Sequence, residues 1–237
     1  MGGRAPRGLP PPQQRLRLDG DPPPRTTRTA VPRDVGAAVK LVVVAQIKDR
    51  IARLGIPGYG EDEIEFIVQT LRLAKPKAIF EWGTNYGASA RIFHEAASIL
   101  KLDCVIHTTE LPIELAGISP EHAGTNTGVI FHGIDSIVRH TGDGVTESLL
   151  AYRQGGSPRS LFFLDGDHTT ENVLRELRWV HAVAPKAIIL VHDVSPDRQP
   201  HSHAHGPHRA LEQFRRECGA YLVKIVASQA GMARLSP

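Results

Sequence analysis

Acidic and imidazole side chains stand at the ends of five apolar, strand-like runs in this sequence. These strand ends carry Glu81, Glu110, Asp143, Asp165 and the pair His192-Asp193. Carboxylates and imidazoles can bind cations, accept hydrogen bonds from ligand hydroxyls and take up protons near neutral pH. Because ligands of open α/β sheets bind beyond the carboxyl ends of the strands, we expect these side chains to share one functional site.

A glycine loop follows the first of these strands, within the segment Phe80–Ser89 (FEWGTNYGAS). Gly83 and Gly87 allow the backbone to turn tightly or to approach a ligand closely, at the start of a helix. The spacing E-x-G-x-x-x-G differs from the G-x-G-x-x-G of dinucleotide-binding loops, and no G-K-[ST] is present. The loop therefore predicts a small-ligand site of another kind, with an ordinary tight turn as the alternative.

A second group of polar residues follows the fourth and fifth apolar strands. It comprises Asp165, Asp167, His168, His192 and Asp193. Carboxylates beside imidazoles indicate either a divalent-cation site or a general base, since an imidazole titrates close to neutral pH. The alternative is that these acids hold loops and cap helices, as Asp167 could do for a helix that starts near Thr170.

The elements that must position these residues alternate between strand and helix. Residues 1–33 predict a disordered tail rich in proline and arginine, residues 34–75 two N-terminal helices, and residues 76–237 the functional domain. Strands are expected at 78–81, 104–110, 136–140, 161–165, 187–191, 221–226 and 232–235, and helices at 88–100, 146–152, 171–183 and 209–218. This pattern predicts an α/β fold with a doubly wound, mostly parallel, seven-stranded sheet and helices on both faces.

Composition narrows the class of partner. The formal net charge of +3 comes mainly from the arginine-rich start of the chain, so we expect no nucleic-acid surface on the folded part. Two separate cysteines, Cys104 and Cys218, predict a reducing compartment. Without an apolar run of ~20 residues or a secretory signal, the chain is expected to be cytoplasmic and not membrane-bound. The N-terminal helices offer a surface for a homodimer.

Three segments carry a resemblance to a known family: Glu81–Ser89, Phe163–His168 (FLDGDH) and Val191–Asp193. From about residue 58 to residue 235, the chain resembles class I S-adenosylmethionine (SAM) dependent methyltransferases. It is most similar to small-molecule and sugar O-methyltransferases with an L-D-G-D motif. The resemblance implies a Rossmann-like SAM-binding domain at 76–237. It also implies methyl transfer to a hydroxyl of a sugar or other natural product, with Mg²⁺ or Mn²⁺ as a second cofactor.

The resemblance also assigns roles to individual residues. It implies that the cofactor is bound by Glu81, Gly83, Thr84, Asn85, Tyr86, Gly87, Ser89, Glu110, Asp143 and Asp165. In this set Glu81 would face the amino group of SAM, Glu110 the ribose hydroxyls and Asp143 the adenine, a role for which Asp135 competes.

The same resemblance implies a metal site and a base. The metal ligands would be Asp165, His192 and Asp193, and the catalytic residues Asp167, His168 and His192. His192 departs from the family pattern, which has an acid at that position. Imidazole suits Mn²⁺, Fe²⁺ or Zn²⁺ better than Mg²⁺, so either the metal differs or His192 is a base.

Other interpretations stay open at this point. A metal-dependent hydroxylase or hydrolase could use Asp165, His192 and Asp193 on the same fold. A SAM-binding scaffold that contacts a partner through its basic tail is a non-enzymatic alternative. The histidine-rich segment Pro200–His208 is expected to be a loop, with a lid or a metal site as alternatives, and Val129–Phe131 could add a short strand.

Overall fold

The computed structural model describes residues 35–55, 59–112, 131–155, 159–195, 205–219, 221–226 and 230–237. The predicted tail at 1–33, most of the histidine-rich segment and residues 129–130 of the extra strand lie outside these ranges. Phe131 has helical backbone, so the extra strand is not formed at that residue.

Six helices and seven strands follow one another in the described part of the chain. The helices are α1 (Val35–Ala52), α2 (Glu61–Ala74), α3 (Ala88–Ile99), α4 (Gly144–Gly155), α5 (Thr170–Val183) and α6 (His205–Glu217). The strands are β1 (Ala78–Trp82), β2 (Val105–Glu110), β3 (Ile137–Thr141), β4 (Ser160–Leu164), β5 (Ile188–His192), β6 (Leu222–Val226) and β7 (Met232–Ser236).

The strands form one seven-stranded sheet in the order β3-β2-β1-β4-β5-β7-β6. The first five positions are parallel, and β7 is antiparallel to both of its neighbours. The strand order reverses between β1 and β4, which is where ligands bind in open sheets of this kind. The predicted doubly wound, mostly parallel α/β fold is therefore confirmed, with the functional edge centred on the ends of β1 and β4.

Each central strand is buried on both faces because its side chains alternate between two apolar cores. Ile79 and Phe163 lie in the core with α1, α2 and α3, whereas Phe80 and Phe162 lie in the core with α4, α5 and α6. This explains why every residue of β1 and β4 is buried and neither strand has a solvent-exposed face. The helices at 35–74 belong to the first core and pack against α3.

Several helix boundaries differ from the sequence expectation. Helix α4 spans Gly144–Gly155, longer at both ends than the predicted 146–152. Its earlier start is stabilised by Asp143, which accepts from the backbone N–H of Thr146. Helix α6 begins at His205 and not at residue 209, so the end of the histidine-rich segment is helical. Pro207 fits this first turn, where a missing backbone N–H costs nothing. None of the described helices has the length and hydrophobicity needed to cross a membrane.

Candidate active site

The glycine loop between β1 and α3 is held by contacts with neighbouring strands. Gly83 has a φ of +101°, and a Cβ there would lie 2.2 Å from the carbonyl oxygen of Asp165. Gly87 has a φ of +77° and is covered by the ring of Phe131. The backbone N–H of Asn85 donates to the Glu110 carboxylate, which joins the loop to the end of β2. Both glycines are thus required by packing, and the loop is fixed against β2 and β4.

A cavity of about 770 Å³ opens at the carboxyl ends of β1, β2, β3 and β4. It is lined by Trp82, Gly83, Asn85, Thr109, Glu110, Leu111, Gly142, Asp143, Gly144, Asp165, Gly166, Asp167, His168, Thr169, Asn172, Arg175 and Glu176. Among the described residues the lining is strongly acidic, and Arg175 is the one arginine in it. A volume of this size is sufficient for a nucleoside-sized ligand together with part of a second molecule.

His192 lies behind the cavity wall, surrounded by carboxylates. Its Nδ1 is 3.0 Å from Oδ1 of Asp165, and its Nε2 is 3.4 Å from Oε1 of Glu63 on α2. Burial would lower the pKa of His192, but these carboxylates outweigh it and raise the pKa well above the usual range. Tyr59 also belongs to this cluster. Its hydroxyl donates to Oδ2 of Asp165 at 3.1 Å, and its ring packs on His192. The sequence pattern gave no indication of Tyr59 or Glu63.

His168 and Asp193 form the second contact of the cluster. Nε2 of His168 is 2.6 Å from Oδ2 of Asp193, and this hydrogen bond raises the pKa of His168. Burial would raise the pKa of Asp193, but its hydrogen bonds with His168 and His192 lower it strongly. Asp193 has a φ of +55°, an uncommon conformation for a residue other than glycine. The cluster therefore contains an imidazole at the cavity wall whose orientation is set by a carboxylate.

Two of the predicted acids form local structural contacts. Asp167 accepts from the backbone N–H of Thr169 at 2.7 Å and from the side chain of Asn172. Burial would raise the pKa of Asp167, but these hydrogen bonds lower it. Asp143 accepts from the backbone N–H of Thr146 and pairs with Arg175 at 2.7 Å. Both carboxylates line the cavity, yet both already have partners.

Glu81 is fully buried at the end of β1, and neither of its oxygens has a hydrogen-bond partner among the described residues. Burial raises its pKa to about 8, although the nearby hydroxyls of Ser89 and Thr108 oppose the rise. The side chain lies behind the cavity lining, on the same side as Asp165, whose charge raises the pKa further. Burial therefore favours the protonated form of the Glu81 carboxyl group.

The structure divides the predicted site residues into two groups. Those that line the cavity are Gly83, Asn85, Glu110, Asp143, Asp165, Asp167 and His168. Those outside the lining are Glu81, Thr84, Tyr86, Gly87, Ser89, His192 and Asp193. Sequence reasoning missed Thr109, Arg175 and Glu176, which line the same cavity but lie within a strand or a helix, where no motif identifies them.

The donors needed for a divalent cation are present in the cluster. Asp165, His192 and Asp193 each offer one atom, and these atoms lie within 4.8 Å of one another, the only such group in the described ranges. Two carboxylates and an imidazole suit Mn²⁺ better than Mg²⁺. The donor set fits a transition-metal ion, which would have to replace the hydrogen bond between His192 and Asp165.

Residues 80–194 match a family model described as a methyltransferase domain. This match covers the sheet from β1 to β5 and thus includes the glycine loop, Glu110 and the cluster of Asp165, His168 and Asp193. No curated protein matches the chain significantly.

Solved structures with a similar fold include three methyltransferases. An O-methyltransferase from Bacillus cereus, in complex with S-adenosylhomocysteine (SAH), shares 14% identity at a TM-score of 0.55, over 83% of this chain and 91% of that chain. TomG from Streptomyces achromogenes, an O-methyltransferase of tomaymycin synthesis bound to SAM, shares 16% identity at a TM-score of 0.54, over 82% of this chain and 88% of that chain. The SAH-bound methyltransferase PaMTH1 of Podospora anserina shares 18% identity at a TM-score of 0.53, over 92% of this chain and 98% of that chain. At these identities the likeness shows a common fold. The family match at residues 80–194 and this fold together identify a methyltransferase domain in this chain.

Proposed function

We propose that the protein transfers the methyl group of SAM to a hydroxyl of a small molecule, with His168 as the general base. The observation that carries this proposal is the hydrogen bond of 2.6 Å between His168 Nε2 and Asp193 Oδ2, at the wall of the acidic cavity. An oxygen nucleophile must lose a proton when it is methylated, and a carboxylate-oriented imidazole is suited to accept it.

The neighbouring residues support each part of this reaction. SAM, when bound, supplies a methyl group on a positively charged sulfonium, and the acidic lining favours that charge. Glu110, joined to the glycine loop through Asn85, would accept the ribose hydroxyls. A proton on Nε2 of His168, donated to Asp193, would leave the lone pair of the neutral imidazole on Nδ1. That nitrogen would take the acceptor proton as the new O–CH₃ bond forms and the S–CH₃ bond breaks.

His168 is a better candidate for the base than the other two predicted catalytic residues. Asp167 accepts two hydrogen bonds near the start of α5, and its lowered pKa makes it a weak base. His192 lies outside the cavity lining, between the carboxylates of Asp165 and Glu63. We infer that these two residues position the loop and the cluster.

A divalent cation is a further part of this proposal. It would be held by Asp165, Asp193 and His192, and would orient acceptor hydroxyls and lower the pKa of the one that is methylated. The donor set favours Mn²⁺. The need for a divalent cation can be tested separately from cofactor binding, because none of the three proposed metal ligands belongs to the glycine loop.

The acceptor is best described by the charge of the cavity. Its described lining carries the carboxyl groups of Glu110, Asp143, Asp165, Asp167 and Glu176, and the guanidinium of Arg175 there is paired with Asp143. An anionic acceptor would be repelled by this lining, whereas a neutral polyol could donate hydrogen bonds to it. A sugar or another polyhydroxylated natural product is therefore the acceptor class we propose.

The first experiment is calorimetric titration of the full chain with SAH, in EDTA and then with added Mn²⁺ or Mg²⁺. Micromolar binding in EDTA is expected, and absence of binding in all conditions would overturn the proposal. Transfer of labelled methyl from SAM should then be measured with neutral polyols, phenols and carboxylates. Methylation of the polyols alone is the expected result.

A further inference from the structure

A second cavity, of about 410 Å³, lies between helix α4 and the strands β2 and β3, at the β3 end of the sheet. None of the described residues in its wall borders the active-site cavity. Its titratable side chains are His107 of β2, His140 of β3 and Glu147 of α4. The proposed methyl transfer uses none of these three groups, so their presence in one wall calls for a separate explanation.

The two imidazoles of this cavity face each other. Nδ1 of His107 is 3.1 Å from Nε2 of His140, and the two rings are tilted by 31°. Two imidazole nitrogens that bind one Zn²⁺ at about 2.0–2.1 Å each lie about 3.3 Å apart when the angle at the metal is tetrahedral. The backbone of β2 and β3 therefore already holds the two nitrogens at close to the separation that one metal ion requires.

The two rings differ in how firmly they are held. The His107 ring stacks on Phe80 of β1, with ring centroids 5.1 Å apart and planes within 10° of parallel. His140 lies on β3, the first strand in the sheet order, and is free to turn its ring until both lone pairs converge in the cavity. Burial and the neighbouring His140 lower the pKa of His107, which favours the neutral imidazole that a metal ion needs.

Glu147 supplies a carboxylate at the same end of β3. A Cβ at Gly142 would lie 2.9 Å from Oε1 of Glu147, so the carboxylate rests against the backbone of Gly142, two residues after His140. Among the described residues, these three donors are not gathered as closely as those of the Asp165 group. Glu147 would therefore turn away from Gly142 to complete a set of two nitrogens and one oxygen.

We propose that His107 and His140 bind a divalent transition-metal ion, with Zn²⁺ as the expected species and Glu147 as the third ligand. Two imidazoles favour Zn²⁺ over Mn²⁺ and Mg²⁺, so this site differs in preference from the carboxylate-rich group at Asp165. The ion would connect β2, β3 and α4 close to Gly144, the first residue of α4 and part of the active-site wall. It would thereby stabilise that corner of the fold without taking part in methyl transfer.

The first test is a Zn²⁺ titration of the isotopically labelled full chain at pH 7, followed by the imidazole nitrogen resonances in NMR. Zn²⁺ should shift Nδ1 of His107 and Nε2 of His140, and the variants His107→Gln and His140→Gln assign these signals. The shifts should persist in Asp165→Ala, which removes a ligand of the other proposed metal site. Shifts confined to His192 or to the histidine-rich segment Pro200–His208 would overturn the proposal.

Equilibrium dialysis against micromolar Zn²⁺ gives a second readout. The wild type should bind one more ion than His107→Gln or His140→Gln, and Glu147→Gln should bind this ion at least threefold more weakly. His132→Gln changes an exposed histidine shortly before β3 and is the matched control, which should bind as many ions as the wild type. Thermal melting in EDTA confirms that each variant folds. Equal numbers of bound ions in the wild type and in both histidine variants of the pair would overturn the site.

Titration with SAH separates this inference from the proposed function. The two cavities share no described lining residue, so His140→Gln should bind SAH within threefold of the wild type. A tenfold loss of SAH affinity in this variant would place the pair in the cofactor site and contradict a separate metal site. Zn²⁺ binding at the pair in a wild type that binds no SAH would overturn the proposed function and leave the metal site in place.

Discussion

His168 and Asp193 are joined by a hydrogen bond of 2.6 Å that connects the segment after β4 with the end of β5. The two strands are parallel neighbours, with Leu164 opposite Val191, so both residues follow their strands at the same edge of the sheet. Asp193 reaches this position with a left-handed φ of +55°. Such strained backbone is found where a side chain must be held in a functional orientation.

Replacement of His168 by Ala should lower turnover about 10²–10⁴-fold, because the acceptor would lose its general base. SAH affinity should stay within about threefold, since the base does not hold the cofactor. His181→Asn, at the other end of α5, is the control. Steady-state kinetics and calorimetry give the two numbers, and full activity of His168→Ala would eliminate this residue as the base.

Asp165→Ala should abolish turnover while SAH affinity changes only a few fold, because Asp165 is a ligand in the proposed cation site. Wild-type activity should also fall in EDTA and recover better with Mn²⁺ than with Mg²⁺. Asp103→Ala removes a highly exposed acid paired with Lys77 and serves as the control. A variant that loses SAH binding together with activity would show that Asp165 belongs to the cofactor site itself.

Glu110→Ala should weaken SAH binding by roughly 1–3 kcal/mol, the cost of an unpaired polar contact. The backbone N–H of Asn85 also loses its acceptor, so the glycine loop should loosen in hydrogen exchange. Calorimetry measures the affinity, with Glu171→Ala as the control. An unchanged dissociation constant would exclude Glu110 from ribose binding.

Glu81→Gln should reduce the loss of stability between pH 5 and pH 8. The folded pKa of Glu81 is about 8, against an ordinary value of 4.5, so the unfolded chain releases its proton first as pH rises. The contribution of Glu81 is complete below pH 4.5 and is lost as pH rises to 8. We expect the pH 5 to pH 8 difference in unfolding free energy to shrink by roughly 1–4 kcal/mol. Urea denaturation at the two pH values measures it, and an equal difference in Glu171→Gln and Glu81→Gln would contradict the buried acid.

Gly83→Ala should destabilise the fold by roughly 2 kcal/mol or more. The new Cβ would meet the Asp165 carbonyl at 2.2 Å, and the φ of +101° is unfavourable for alanine. Gly219→Ala is the control, because no atom lies within 4 Å of its Cβ position. The midpoint of thermal unfolding should fall for the first variant and stay within a degree or two for the second.

Much of the fold could be predicted from local patterns. The apolar runs 161–165 and 187–191 indicated buried parallel strands, because a strand covered on both faces has no polar side. The acids at the ends of those runs indicated the functional edge, because ligands of open α/β sheets bind beyond the carboxyl ends of the strands. The first turn of α6 was missed because His201–His208 looks polar and irregular, whereas Gly206 packs on the backbone of His168.

The sequence by itself determined the order of strands and helices and the edge of the sheet that carries polar side chains, since periodicity and strand ends are local properties. Only the tertiary structure decided the partners: Glu63 beside His192, Arg175 beside Asp143, and Glu176 in the cavity wall. These contacts join residues far apart in the chain, so they depend on how helices pack against the sheet. That packing is a cooperative property of the whole core, and no local pattern encodes it.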